Sequence, residues 1–282
     1  MSERAIGAAQ LVAQLDAALA FGEQGGASQG GASQGGASQG GASQGGASQG
    51  GASQGGASRE PSLSALALLA EWAGASGVSL SARPEQISSF MSQARRLRAE
   101  LSGALDVQLP PELDLTRIAF ELQPQRVTLI PARWVGPGVV GGLDPFQLSE
   151  GLRAQVAQLH EADIEVAVRV EPQLELVKRL PRFDVDVVVL STTALMASGR
   201  GASRREQFKR LLDASLLASR LGLRVAAAGG VDLAAAEQLA RIPQLAEVHV
   251  GRGLLGRAMV RGMEAATRDL LMALERGRRS PL

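Results

Sequence analysis

Strand-length apolar runs alternate with helical patterns along most of this chain, and that alternation leaves few folds open. The runs are Gly77–Ala82, Leu105–Pro110, Arg126–Pro131, Ile164–Val170, Val185–Ser191, Leu223–Gly229 and Ala246–Gly251. Each is apolar or β-branched and bounded by Gly, Pro, Asp or Ser. Ala8–Leu15 is a weaker run that would supply a first strand. Between the runs, helical periodicity predicts helices over Glu85–Leu101, Leu148–Glu161 and Ser203–Leu221, and a final one from about Leu254 to Leu274. Strands alternating with helices imply right-handed crossovers and a parallel sheet. No GxGxxG follows the first run, as it would in an open dinucleotide-binding sheet. The expected fold is α/β, a single (β/α)8 TIM barrel.

Length agrees once one segment is set aside. Gly25–Ser58 is six GGASQ units and a final GGAS, 34 residues without a charge or a large apolar side chain. The other 248 residues match the roughly 250 typical of such a barrel. The tract cannot bury enough apolar area to offset its ordering entropy, so it is expected to be a disordered insertion after the first strand. As a Gly/Ser-rich coil it would span about 30 Å end to end. Expansion of a short loop by repeat slippage explains it, and a selected linker or partner-binding segment is the other reading. The expected organisation is a first strand and helix over 1–24, the tract over 25–58 and the rest of the barrel over 59–282.

Composition removes several chemistries. There are 29 Lys and Arg against 28 Asp and Glu, so a broad nucleic-acid-binding face is not expected. With no Cys, disulfides, thiolate catalysis and Cys-ligated metals are excluded. No metal cluster or P-loop is evident, and His160 and His249 are the only imidazoles. No apolar stretch is long enough to span a membrane, and Met1–Ala8 lacks signal-peptide features. The expectation is a cytoplasmic protein that binds neither membrane nor nucleic acid.

Barrel chemistry sits at the C-terminal ends of the strands. The corresponding loops are Ser81–Arg83, Gln108–Pro110, Pro131–Arg133, Ser191–Thr193, Ala228–Val231 and Gly251–Gly253. Glycine turns after runs seven and eight suit phosphate, because bare backbone N–H groups and a helix N-terminus can face its oxygens. Arg252 could add a charged contact. Alternation along the fifth strand turns Val166, Val168 and Val170 toward the helices. Glu165, Arg169 and Glu171 then face the interior or the mouth, as do Gln108, Glu247 and His249. A salt-bridged interior explains this set, and a lyase or isomerase using Glu165 and Arg169 is the functional alternative. His249 reads as a hydrogen-bonded core residue, with a general acid/base as the functional alternative. His160 is expected at the surface. The arginines at Arg95, Arg96 and Arg98, and at Arg276, Arg278 and Arg279, read as solvated charge near helix ends.

From about Ala70 onward the chain resembles the pyridoxine 5′-phosphate synthase family. The resemblance rests on AGASGVSLSAR (Ala73–Arg83), TLIPAR (Thr128–Arg133) with GGLD (Gly141–Asp144), RLGLRVAAAGGVD (Arg220–Asp232) and IPQLAEVHVGRGLLGRAMVRGMEAA (Ile242–Ala266). It implies a TIM barrel, usually octameric, with no metal or organic cofactor. The implied transferase reaction condenses 3-amino-2-oxopropyl phosphate with 1-deoxy-D-xylulose 5-phosphate in vitamin B6 biosynthesis. Arg83 matches the family's substrate-binding Arg, Gly230 and Gly251 its phosphate-binding backbone, and Arg252 replaces a His beside the phosphate.

The departures fall on proton transfer. The family's catalytic His after strand two, Glu on strand three and His after strand seven fall on Ser81, Gln108 and Gly229. A Glu on strand six and a His two residues later fall on Val189 and Ser191. The family's first-strand Asn-x-Asp-His motif has no clear counterpart in the sequence. The expectation is a synthase-like protein of impaired or absent activity; the alternative is a non-catalytic paralogue that binds a phosphorylated metabolite or assembles with an intact synthase. Deleting Gly25–Ser58 is expected to leave the melting temperature unchanged in a calorimetric scan. A drop beyond about 4 °C, roughly 1 kcal/mol in a chain of this size, would show that the tract packs on the barrel.

Overall fold

The computed structural model describes residues 9–16, 62–148 and 151–282. The GGASQ tract lies outside the described residues. Eight parallel strands close into a barrel: β1 (Gln10–Gln14), β2 (Gly77–Ser81), β3 (Ala104–Leu109), β4 (Arg126–Leu129), β5 (Glu165–Val170), β6 (Val187–Ser191), β7 (Arg224–Ala228) and β8 (Leu245–Val250). The weakest run of the sequence supplies the closing strand. β1 pairs with β8 through Gln10↔Glu247 to Ala13↔Val250, and with β2 through Val12↔Gly77 to Gln14↔Ser79.

Helices α1 (Leu63–Trp72), α2 (Ile87–Glu100), α3 (Leu115–Leu122), α4 (Gly151–Glu161), α5 (Leu174–Arg179), α6 (Thr193–Ala197), α7 (Ala202–Arg220), α8 (Leu233–Ala240), α9 (Arg252–Arg261) and α10 (Met263–Arg278) accompany the strands. Side-chain caps fix several starts. Ser62, Asp114 and Asp232 each accept from a backbone N–H three residues on. The expected single final helix is in fact α9 and α10, broken at Gly262. That glycine sits at φ +79°, a left-handed backbone that ends one helix and redirects the chain into the next.

The core has two parts because strand side chains alternate. Val166, Val168 and Val170 join the main apolar layer beneath the helices, as the alternation predicts. Inside the barrel a smaller apolar cluster of Ala167, Val187, Val189, Ala226 and Ala228 covers the β5–β7 wall. The facing wall is polar, with Ser79, Ser81, Asp106, Gln108, Thr128, Glu247 and His249 all buried.

An ion network fills the N-terminal end of the barrel. Arg126 Nη1 and Nη2 donate to the two Glu247 carboxylate oxygens at 2.6 and 2.8 Å, and Nε donates to Glu165 at 2.7 Å. Arg224 also pairs with Glu165 and lies 3.6 Å from Glu247. Burial penalises the charge on Glu247, but the hydrogen bonds and charges of Arg126 and His249 together exceed that penalty and hold the carboxyl well below the usual range. Above the pair, His249 Nε2 lies 3.4 Å from Glu247 and Nδ1 4.0 Å from Asp106. Thr128 Oγ1 donates to Asp106 at 2.6 Å. Glu165 and Glu247 thus belong to the ion network, and His249 is buried above it. Glu165 opens β5 and Arg169 lies four residues farther along it, about 13 Å away along the strand. The two cannot form one catalytic set.

His160 departs from its expected surface role. Its Nε2 lies 2.9 Å from Asp186 Oδ2, and the same oxygen accepts from Val166 N–H, so the ring ties α4 to the turn before β6. Arg278 likewise donates to the carbonyls of Ile242, Pro243 and Leu245, holding the approach to β8. Replacing Arg126 by Met leaves the buried Glu247 without its main partner and the half-buried Glu165 with Arg224 alone among the described residues. Urea unfolding is expected to show a loss of about 3–5 kcal/mol, the usual cost of breaking a buried pair from one side; a loss under about 1 kcal/mol would mean the network contributes little.

Candidate functional site

The opposite end of the barrel carries the site. After β4 the chain forms a small hairpin, Trp134–Val135 against Gly138–Val139, which leans over the mouth. Its base is anchored where Leu143 N–H donates to Arg169 O at 2.7 Å. Its tip, Gly136-Pro137-Gly138, stands between two cavities. The larger, about 340 Å3, is lined by Asp16, Ser81, Arg83, Phe90, Trp134 and Gly136, among others. The smaller, about 40 Å3, is lined by Gln14, Asp16, Arg169, Gly229, Gly230, Gly251 and Arg252, with the hairpin as its outer wall.

Arg83 follows β2 directly. Its guanidinium lies over the Trp134 ring, 4.6 Å from the centroid, and Nη2 donates to Gly136 O. Arg252 opens α9, and Gly251 before it is the N-cap. Gly229 and Gly230 stand at φ +124° and +76°, backbone angles that favour glycine. Thr192 fixes their turn, since its Oγ1 donates to Gly229 O at 2.7 Å and its N–H to Ala228 O at 2.8 Å. The structure therefore gathers Gly230, Gly251 and Arg252 around one small pocket. It sets Ser81 and Arg83 around the other.

Barrel closure adds a residue that the sequence reading missed. Asp16, two positions beyond the end of β1, is buried and lines both cavities. Its Oδ1 accepts from Ser81 N–H, and its Oδ2 accepts from Ser81 Oγ at 2.9 Å and from Gln14 Nε2 at 2.6 Å. Ser81 Oγ and Gln14 Nε2 also lie 2.9 and 3.3 Å from Gln108 Oε1. Ser81 and Gln108, two of the positions where the resemblance puts catalytic groups, thus bond each other directly, and Ser81 also holds the Asp16 carboxyl. Burial pushes that carboxyl up to about 6, against the pull of the Ser81 and Gln14 hydrogen bonds and of Arg169. Near neutrality such a group can both give and take a proton. The signal was present: Gln14-Leu15-Asp16 repeats the spacing of the family's Asn-x-Asp at the end of the first run.

Arg169 also proves to belong to the mouth. It is 1% exposed, lines the smaller cavity, and comes from the inward face of β5. Among the described residues no group of His, Asp and Glu could hold a metal ion, and no helix is long and apolar enough to cross a membrane.

Known proteins share both the sequence and the fold. Residues 53–276 match the family described as "Pyridoxal phosphate biosynthesis protein PdxJ". The pyridoxine 5′-phosphate synthase of Chlorobium chlorochromatii is 29% identical over 205 residues, covering 73% of this chain and 87% of that protein. That of Bradyrhizobium diazoefficiens is 29% identical over 223 residues, covering 78% and 89%. Among solved structures, KGPDC from Streptococcus mutans superposes with a TM-score of 0.58 at 10% identity, covering 96% of this chain and 99% of that one. At that identity the likeness concerns the fold alone. A family match across most of the chain, on a closed eight-stranded barrel with the glycine turns in place, makes this protein a member of the PdxJ family of pyridoxal phosphate biosynthesis.

Proposed function

We propose that the mouth binds a phosphorylated small molecule, and that the chain performs the family's condensation of 3-amino-2-oxopropyl phosphate with 1-deoxy-D-xylulose 5-phosphate only slowly. The observation that carries the first half is the pocket of Gly230, Gly251 and Arg252 at the start of α9. Backbone N–H groups, a helix N-terminus and a guanidinium converge there, a combination that suits a phosphate. Arg83, across the hairpin, would serve a second phosphorylated substrate in the larger cavity.

The second half follows from what Ser81, Gln108 and Gly229 can do. None offers a group that titrates near neutrality. One general acid or base contributes about 10²- to 10⁴-fold, and groups acting as a unit are lost less than additively. Asp16 remains as a proton carrier in the mouth, so the reading is impaired turnover rather than none. Met259 and Val260, 84% and 86% exposed on α9, support assembly with further subunits, and the family's metabolic role supports a cytoplasmic location.

With both substrates supplied, formation of fluorescent pyridoxine 5′-phosphate is expected at least about 100-fold more slowly than with an ordinary family member. Comparable turnover would overturn the account given to Ser81, Gln108 and Gly229. Asp16 gives a separate test. Its carboxyl holds a proton more tightly in the folded chain, about 6 against an ordinary 3.8, so folding is favoured below pH 4 and penalised as pH rises through 6. Asp16→Asn is expected to stabilise the protein above pH 7, by up to about 3 kcal/mol, with the gain fading toward pH 4. Urea unfolding at several pH values measures this, and a gain independent of pH would show that Asp16 does not titrate in that range.

A further inference from the structure

Among the described residues Arg169 is a buried cation without a matching anion. Its side chain rises from β5 beside the small apolar cluster of Ala167, Val189, Ala226 and Ala228. Nε has no hydrogen-bond partner, and Nη2 reaches only Ala228 O at 3.5 Å. Among the described residues no carboxylate lies within 4.0 Å of it. Glu171 and Asp16 act on it only through the longer-range field, and burial lowers its affinity for its proton. The contrast with Arg126 is direct, since that guanidinium is fully engaged by two carboxylates. A charge held out of water on an apolar floor is costly unless something compensates it.

Its surroundings indicate what does. The guanidinium borders the cavity shared with Gly229, Gly230, Gly251 and Arg252. A Cβ on Gly229 would stand 2.9 Å from Arg169 Nη2 and 2.9 Å from Thr193 Oγ1. The bare glycine is thus what admits the guanidinium to this spot. The resemblance places a catalytic imidazole at position 229, and this chain brings a fixed positive charge to the same neighbourhood. An imidazole near neutrality can move a proton, whereas a guanidinium cannot serve as a base and serves instead to bind oxyanions.

We propose that Arg169 is a binding residue whose partner is the phosphoryl group of the ligand, held between Arg169 on the barrel side and the N-terminus of α9 with Arg252 at the rim. This rests on the phosphate pocket proposed above and extends it. The dominant charge contact is made from inside the barrel, and the position that would carry acid–base chemistry is given over to anion recognition. A small cavity with two guanidinium groups and one helix N-terminus suits a single dianionic group, such as a phosphate monoester.

Thermal melting and titration calorimetry with inorganic phosphate test this on the full-length chain. Arg169→Met removes the charge and keeps most of the apolar length. It is expected to raise the melting temperature without phosphate and to weaken phosphate binding at least tenfold. Arg169→Lys keeps the charge without the planar fork and is expected to bind several-fold more weakly than the wild type. The proposal is overturned if Arg169→Met lowers the melting temperature or fails to fold, which would mark a structural arginine. It is equally overturned if both variants bind phosphate as the wild type does. If Arg252→Ala abolishes binding while both Arg169 variants retain it, the phosphate pocket stands and the role given to Arg169 falls. If the wild type binds neither inorganic phosphate nor glycerol phosphate, the pocket itself falls and this inference with it.

Discussion

The bidentate contact between Arg126 and Glu247 joins β4 to β8 across the inside of the barrel, and much of the interior is arranged around it. Parallel strands with helices outside must fill a narrow enclosed volume, and here half of that filling is polar. Polar filling is tolerable only where the charges balance. At the N-terminal end two arginines meet two glutamates, and at Glu247 the hydrogen bonds and charges of its neighbours, Arg126 foremost, together exceed the cost of burial. That end is rigid and electrically settled.

The mouth is built on the opposite principle. Asp16 is held by neutral donors from Ser81 and Gln14, with no cation in contact. Among the described residues Arg169 has no anion in contact, and Arg83 donates to a hairpin carbonyl with Glu85 4.0 Å away. Apolar residues on the β5–β7 wall keep the dielectric low around Arg169. Within one barrel, then, compensated charge gives stability at one end and uncompensated charge gives potential for binding at the other. Natural sites are often less stable than the scaffold that carries them, and the two ends divide that labour here.

The fold was largely legible because strand and helix periods are local properties. Seven runs announced themselves, and glycine turns after runs seven and eight marked the smaller cavity of the mouth. What local pattern could not show was pairing across distance. Asp16 looked like one carboxylate in a weak segment, and only the pairing of β1 with β2 brings it to the Ser81 backbone N–H. Alternation correctly turned Glu165 and Arg169 inward but did not reveal that they end in separate environments. Whether an inward arginine is neutralised depends on which side chains its neighbours project at the same height, and height is fixed by strand register. The break at Gly262 was hidden for a related reason: both flanking segments are good helix formers, and only the backbone angle separates them.

The seam of the barrel has a consequence for how the chain is made. Gln10 pairs with Glu247, so the last hydrogen-bonded ladder joins segments that leave the ribosome 237 residues apart. Until β8 emerges, the growing sheet carries an unpaired edge on β7, and the N-terminal strand can dock on β2 alone. Such edges are templates for the wrong neighbour. The nascent polypeptide is therefore exposed to aggregation for as long as β8 is missing, and it gains its full protection only when that strand docks.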